Sequence, residues 1–184
     1  MSIYNDLIIA PLERIVNYVR YHNFIYYNHY LDVRYTKRVF KERLGYELNL
    51  DNPETFNEKL QWLKLYDMDD MKTMCADKFA VRDHIKATIG EQYLIPLVYT
   101  TTNPKKISAD VLPDFPVIIK TNHASGKVLI IRDKSSANFA EIQQSFRFQL
   151  NKNYYHGHRE KQYKNIKPRV IIEKLLMDED GNVP

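Results

Sequence analysis

Residues 116–126 read Pro116-Val-Ile-Ile-Lys-Thr-Asn-His-Ala-Ser-Gly126. The three β-branched apolar residues after the proline are typical of a short strand. This strand ends at Lys120, and small or polar residues follow it as far as Gly126. Because main-chain N–H groups in such a loop can bind phosphate oxygens, and a lysine at the strand end adds a cation beside them, the pattern indicates a phosphate site.

The next apolar segment predicts a hairpin. Val128-Leu-Ile-Ile131 is again short and β-branched, so we expect it to pair with the strand that ends at Lys120. A Walker loop is excluded, because Gly126-Lys127 has neither a following Ser or Thr nor an upstream glycine at the required spacing. The residues alone leave two interpretations open, a phosphate-binding loop and an ordinary hairpin with a surface lysine.

The segments downstream of the hairpin alternate between helix and strand. Apolar residues at helical spacing predict a helix from Phe139 to Leu150, and Val170-Ile-Ile172 predicts a further strand that leads directly into Glu173. Between them, residues 153–165 lack periodicity and are predicted to form a long loop. A solvated loop is the commoner outcome for its basic residues, but they could also bind an anionic acceptor or reach nucleotide phosphates: His156, His158, Arg159 and Lys164.

Upstream of the hairpin, a helix is predicted from about Met74 to Gly90, with Lys78 and Arg82 on one face because they are four residues apart. Tyr93 to Tyr99 is predicted to be a strand. Further upstream, Thr55 and Glu58 have the spacing of a capping box. The apolar residues of the helix that this box begins are predicted to face a core: Phe56, Leu60, Trp62 and Leu63.

Two more helices are predicted near the N-terminus. One begins at Pro11, and the other has Thr36 as a cap and Gly45 as its stop. Tyrosines and basic residues alternate between them, which indicates either packing with a solvated face, the favoured interpretation, or a patch for a membrane surface or polyanion. The tyrosines of this segment are Tyr21, Tyr26, Tyr27, Tyr30 and Tyr35.

Composition excludes several protein classes. With 184 residues, 44% of them hydrophobic, the chain can bury a core, so a disordered or fibrous protein is excluded. The net charge of +4 suits anionic ligands but does not require nucleic acid. A single cysteine, Cys75, fits a reducing cytoplasmic setting and cannot form an intrachain disulfide. No signal-peptide layout or bilayer-spanning stretch is present, so we expect a protein that is soluble or at most peripheral at the inner face of the membrane.

The order of these motifs resembles that of ATP-grasp enzymes, and in detail that of the TupA-like branch, which is associated with teichuronopeptide and cell-surface polysaccharide synthesis. The resemblance rests on the segments at Asp77-Lys78, Leu94-Ile-Pro96, Pro116 to Gly126, and Val170 to Lys174. It also includes Thr55 to Tyr66 and Tyr163 to Arg169, and so covers residues 44–184. Helices that alternate with short strands, two of them in a hairpin, indicate an α+β or mixed α/β architecture. With the resemblance, we expect an α+β fold: a helical region at residues 1–70, and a truncated ATP-grasp fold with a small mixed or antiparallel sheet and packed helices at residues 71–184.

The resemblance also implies a nucleotide site. Lys78 would reach the ATP phosphates, and Lys120 would contact the α- and β-phosphates. The lid over the triphosphate would consist of His123, Ala124, Ser125 and Gly126. The hinge against adenine would span Glu173 to Leu176, with main-chain groups of Lys174 and Leu175 bonding the base. Asp180 would meet the ribose hydroxyls, in competition with Asp178 and Glu179.

The function implied by the family is carboxylate activation as an acyl-phosphate with ATP and Mg²⁺, followed by attack of an amine. The metal ligands are expected in a second half that this chain does not contain, so no catalytic or metal-binding residue is assigned here. We therefore expect a truncated polypeptide without ligase turnover. The alternatives are a non-catalytic module that binds a polyanion, a lipid-linked sugar or a partner protein, and a protein labelled glycosyltransferase in a polysaccharide gene set.

Overall fold

A computed structural model describes residues 28–126 and 128–183 of the chain. They divide into two compact units, one that ends at Asp67 and one that begins at Met68. The helix predicted to begin at Pro11 lies outside the described residues, as do Tyr21, Tyr26 and Tyr27. No helix within the described ranges is long and apolar enough to cross a membrane.

Within residues 28–67, the first unit has helix α1 at residues 28–44 and helix α2 at Phe56–Tyr66. Helix α1 runs through Thr36, so the predicted cap at that residue is wrong. Residues 28–44 contain neither proline nor glycine, and nothing in them breaks the helix. The helix ends before Gly45, whose φ is +80°. The core of this unit consists of Phe40, Leu48, Leu50 and Leu65.

Helix α2 begins with the predicted capping box. The Thr55 hydroxyl accepts from the main-chain N–H of Glu58 at 3.2 Å, and the Glu58 carboxylate accepts from the Thr55 N–H at 2.9 Å. The predicted core-facing stripe, however, is wrong: Phe56 is 78% exposed, and Leu60, Trp62 and Leu63 are also exposed. The buried residues of α2 are instead Glu58 and Leu65. The Glu58 carboxylate also accepts from the N–H groups of residues 49 and 54, and these bonds keep the face that carries Glu58 turned inward.

The second unit contains helices α3 (Asp70–Ala76), α4 (Val81–Thr88), α5 (Phe139–Leu150) and α6 (Tyr154–His158). Single 3₁₀ turns occupy Glu91–Tyr93, Pro104–Lys106, Ala109–Val111, Lys134–Ser136 and Lys161–Tyr163. The helix predicted from Met74 to Gly90 is therefore two helices. The break is at Asp77, whose carboxylate accepts from the N–H groups of Phe79 and Ala80 at 2.9 and 3.2 Å and so stabilises a turn.

Two other predicted boundaries are also wrong. The strand expected at Tyr93 begins at Leu97, because Glu91–Tyr93 forms a 3₁₀ turn. The long loop expected at residues 153–165 contains α6 and a 3₁₀ turn. Helix α6 forms because the Asn153 side chain accepts from the N–H of Tyr155 at 3.0 Å and caps its first turn.

The second unit is built on a four-stranded antiparallel sheet in the order β1-β4-β2-β3. The strands are β1 (Leu97–Thr101), β2 (Val117–Thr121), β3 (Val128–Ile131) and β4 (Val170–Lys174). The β2–β3 pair is the predicted hairpin, and β4 lies between β1 and β2. The predicted α+β class with a small antiparallel sheet is therefore confirmed.

The two faces of this sheet differ in chemistry. Side chains alternate along each strand, so one face carries Val117 and Ile119 of β2 with Val170 and Ile172 of β4. This face packs on Ile142 and Phe146 of α5 and forms the core of the unit. The opposite face carries Lys120 and Glu173. Lys120 of β2 is paired with Ile171 of β4, and Glu173 lies two residues further along β4. The charged groups therefore share the sheet face that the core does not use.

Candidate functional site

Glu173 is the centre of a buried ion-pair cluster. Its side chain is almost completely buried, and its Oε2 atom lies 2.6 Å from the Nζ atom of Lys120. Arg82, on α4, donates from Nη1 to the Glu173 Oε1 atom at 2.8 Å and from Nη2 to the carbonyl of Ile95 at 2.7 Å. One carboxylate on β4 is thus shared by two cations, one from β2 and one from α4.

Lys78 brings a third cation to the β2–β3 loop. It follows Asp77 in the turn between α3 and α4, and its Nζ atom donates to the carbonyl of Ala124 at 2.5 Å. Burial lowers the pKa of Lys78, and the positive charge of Lys120 lowers it further. The charges of Asp77 and Glu173 act in the opposite direction. The positive charge of Lys120 therefore disfavours the charged form of Lys78.

Asn122 holds this arrangement together. Its side-chain amide donates to the Asp77 carboxylate at 2.8 Å and to the carbonyl of Lys167 at 3.0 Å, and its side-chain oxygen accepts from the N–H of Arg169 at 2.7 Å. Its main chain accepts from the N–H of Lys78 at 3.3 Å and donates to the carbonyl of Arg169 at 3.0 Å. A buried side chain with both groups satisfied fixes the loop, the α3–α4 turn and the start of β4 to one another.

His123 lies inside the protein and not at the tip of the loop. It is 2% exposed, and its Nε2 atom lies 3.0 Å from the carbonyl of Lys152, just beyond α5. Burial lowers the pKa of His123, and the carbonyls of Lys152 and Gln149 partly oppose this shift. Of the four residues expected to form a lid, Ser125 and Gly126 are exposed and Ala124 is half-buried. Gly126 has a φ of +122°, which side chains other than glycine rarely adopt.

The segment expected to form the hinge is part of the sheet and of the chain just after it. The N–H of Lys174 donates to the carbonyl of Pro96, and that of Leu175 donates to the carbonyl of Pro116, both at 3.0 Å. Leu175 is buried, whereas Leu176 is exposed. These two N–H groups are bonded within the protein and are therefore not available to a ligand.

Asp180 lies in an exposed turn at residues 178–182. The carboxylate of Asp178 stabilises this turn by accepting from the N–H groups of Asp180 and Asn182 at 3.1 and 2.7 Å. Asp178, which competes with Asp180 in the sequence, therefore has a structural role. Within residues 28–126 and 128–183, no group of three or more His, Cys, Asp or Glu side chains could hold a metal ion.

Sequence reasoning assigned no role to two residues that build the site. Arg82 was placed on the face of Lys78 by its spacing, but its bond to Glu173 joins residues 91 positions apart. Asn122 stands in the middle of the quoted loop, yet nothing in the sequence names its partners Asp77 and Lys167. Both residues are polar, can form several hydrogen bonds, and stand in sequence near a predicted strand or helix. This combination is the sequence feature that could have indicated their roles.

The cluster carries an excess of positive charge. Lys78, Lys120 and Arg82 supply three cations, and Glu173 and Asp77 supply two carboxylates, within a set of groups linked by the contacts above. An anion beside the two lysines would relieve their mutual repulsion. The residues present therefore fit an anionic group such as a phosphate, which the exposed loop residues Ser125 and Gly126 could also contact.

Comparisons with known proteins gave one match. The chain shows no significant match to a curated protein or to a solved structure. A protein-family model described as TupA-like ATPgrasp matches residues 58–183.

Proposed function

The chain belongs to the TupA-like ATP-grasp family, and from this membership we propose that the second unit binds ATP, with the triphosphate held by Lys78 and Lys120. The family supports a generic ATP-grasp ligase-type role with ATP and Mg²⁺. The site residues expected from the sequence are part of this proposal.

The observation that carries the proposal is that two lysines, Lys78 and Lys120, lie beside the same loop and, among the described residues, only Lys120 has a carboxylate partner at hydrogen-bond distance. Lys78 has a lowered pKa partly because Lys120 is near it, and Lys120 is neutralised by Glu173. A phosphate that binds beside both lysines supplies negative charge next to Lys78 and competes with Glu173 for Lys120. The protein fixes this geometry in advance, because Asn122 and the Ala124 carbonyl hold Lys78 at the loop.

The base and the ribose of ATP would bind to the segment that follows Glu173. The main chain of Leu176 is the candidate for hydrogen bonds to adenine, because the N–H groups of Lys174 and Leu175 already donate to Pro96 and Pro116. The exposed carboxylate of Asp180 is the candidate for the ribose hydroxyls. The exposed side chain of Leu176 offers apolar surface for the base.

The second unit would supply the ATP-binding part of a ligase that joins an amine to a carboxylate in the synthesis of a cell-surface polysaccharide, with the protein in the cytoplasm. Mg²⁺, when bound, would offset the negative charge of the triphosphate and polarise its phosphoryl group. The described residues contribute binding and orientation: Lys78 and Lys120 hold the phosphates, and the exposed loop residues Ser125 and Gly126 contact them.

The test is thermal unfolding with increasing ATP and Mg²⁺. A ligand at 100 times its dissociation constant adds about 2.7 kcal/mol to the free energy of unfolding, so we expect a rise in Tm that saturates with ATP. Lys120→Met should lose most of this rise. Lys105→Met removes the same charge from an exposed turn of the same unit and should keep it. An equal rise in all three proteins would contradict the role of Lys120, and no rise in the wild type would contradict nucleotide binding.

A further inference from the structure

A second cavity, of about 680 Å³, lies between the loop after β2 and the corner between α5 and α6. We infer that it binds a small polyhydroxylated organic anion, a ligand distinct from the nucleotide. Pockets for small ligands commonly have volumes of about 300–1,000 Å³, so the cavity has the size of a site for one sugar-sized molecule. The residues that line it come from the loop, from α5 and from α6.

The charged side chains that line the cavity favour an anion. Lys152, His156 and His158 contribute basic groups, and none of the described lining residues is acidic. All three basic residues are exposed, so they can reach a ligand without a change of fold. The Nζ atom of Lys152 lies 4.1 Å from the centre of the Phe148 ring, which holds the ammonium at the wall of the cavity.

The remaining lining suits a ligand that carries hydroxyl groups. Ser125, Ser145 and Gln149 present hydroxyl and amide groups that can both donate and accept hydrogen bonds. Tyr154 adds an aromatic ring, which stacks on the ring of His158 with a centroid distance of 4.1 Å and an angle of 17°. Aromatic faces beside amides and hydroxyls can contact the apolar and polar sides of a sugar ring at the same time.

The basic residues of α6 lie on a helix that is anchored by the buried side chain of Tyr155. Tyr155 is completely buried, and Arg159 and Lys164 lie over its ring at 5.4 and 4.9 Å from the centroid. Arg159 also ends the helix in a left-handed conformation, with a φ of +54°. Such a conformation costs energy in residues other than glycine and is concentrated at functional sites. His156 and His158 are thus presented by a fixed helical turn.

The cavity meets the proposed phosphate site at the loop after β2, where Ala124 and Ser125 both line the cavity. Ala124 lines the cavity, and its carbonyl accepts the hydrogen bond of Lys78. An anion in the cavity therefore lies next to the loop that we propose for the triphosphate, where an acceptor substrate of a ligase would have to be. Neither Lys78 nor Lys120 lines the cavity, so binding of the anion there does not require ATP.

The test is a titration of the free protein, followed by the imidazole carbon–proton NMR signals of its histidines. D-glucuronate carries a carboxylate, glucose 6-phosphate carries a phosphate, and D-glucose is the neutral control. We expect saturable shifts of the His156 and His158 signals with one or both anions at concentrations up to about 10 mM, where a site with a Kd near 1 mM is mostly filled. The anion that binds more tightly identifies the oxyanion that the cavity prefers.

Two pairs of variants check the location of the bound anion. Lys152→Met should weaken binding of the preferred anion about tenfold, the effect of one lost charge-assisted hydrogen bond, whereas Lys105→Met should not change it. His156→Gln should weaken it as well, and His84→Gln, at an exposed position on α4, should not. No saturable shift with either anion, or equal shifts with glucose, would overturn the inference. Repeating the titration with ATP and Mg²⁺ present separates its outcome from that of the nucleotide proposal.

Discussion

Lys120 and Glu173 are diagonal neighbours on one face of the sheet, and their charged atoms lie 2.6 Å apart. The register aligns Lys120 with Ile171 and Glu173 with Ile118. The long side chain of Lys120 therefore reaches diagonally across to Glu173, which lies on the same face of the neighbouring strand. Arg82 holds the other oxygen of the same carboxylate. In the free protein, Glu173 therefore occupies the position of counter-ion that an anionic ligand would take over from it.

Glu173→Gln should strongly destabilise the second unit. The substitution leaves Lys120 and Arg82 largely buried without their shared carboxylate, and breaking a buried ion pair in this way costs about 3–5 kcal/mol. Lys120→Met should cost less than half of this, because Arg82 continues to neutralise Glu173. The check is hydrogen exchange of the Ile171 and Ile172 amides in β4, which reports on this unit alone. Equal losses in both variants would contradict the shared-carboxylate arrangement.

Asn122→Ala should destabilise the second unit and weaken ATP binding together. It removes three side-chain hydrogen bonds and leaves the carboxylate of Asp77 and the carbonyl of Lys167 without this donor, at a cost of about 2–4 kcal/mol. Because Asn122 fixes the turn that carries Lys78, the saturable rise of Tm with ATP should shrink as well. Asn151→Ala, at an exposed position after α5, is the matched control and should leave both measurements unchanged.

His123 should make stability depend on pH. Burial lowers its pKa in the folded protein, while the unfolded chain keeps the usual value of 6.5. Below this value, the unfolded state binds a proton that the folded state does not, so the free energy of unfolding falls on acidification until the lowered pKa is reached. The slope for one such group is at most about 1.4 kcal/mol per pH unit.

Urea unfolding between pH 7.5 and 5 measures this dependence. The range includes about one pH unit on either side of the usual pKa of histidine. His123→Gln retains a donor for the carbonyl of Lys152 and should have a flatter profile than the wild type. His84→Gln, at an exposed position, should retain the wild-type slope. A wild-type slope in His123→Gln would show that His123 does not bind its proton differently in the two states.

Gly126→Ala and Gly157→Ala should have opposite effects on stability. A methyl group would meet no atom within 4 Å at either position, so crowding does not separate them. Gly126 has a φ of +122°, and alanine there costs about 1–2 kcal/mol of backbone strain. Gly157 lies in α6 without a positive φ, where alanine gains up to about 1 kcal/mol. Thermal unfolding of the two variants gives the sign of each change.

Features that depend on neighbouring residues could be predicted from the sequence. The β2–β3 hairpin, helix α5 and the capping box at Thr55 follow from alternation, helical spacing and a three-residue motif. The break at Asp77 was not predicted, because its short-range turn competes with a helical pattern that continues on both sides. The same limit applies to Phe56 and its neighbours, since the spacing that marks an apolar face cannot tell whether that face is covered.

The grouping of Lys78, Lys120 and Glu173 could be expected only from the family resemblance. Lys78 contacts the carbonyl of a residue 46 positions away, and no periodicity encodes such a distance. Arg82 and Asn122 were not assigned because their partners are equally remote in sequence. Helix α6 was missed for a different reason: it has only five residues, too few to show a helical period, and one of them is glycine.

The position of β4 determines the order in which the sheet can assemble on the ribosome. Strand β2 leaves the ribosome shortly before β3 and can pair with it at once, whereas β1 pairs only with β4 among the residues that the structure describes. Strand β1 must therefore remain unpaired while the hairpin, α5 and α6 are synthesised, and the charged face cannot form until Glu173 has been added. Translation speed across residues 102–169 thus determines how long an apolar edge of the nascent chain is open to chaperones or to other nascent chains.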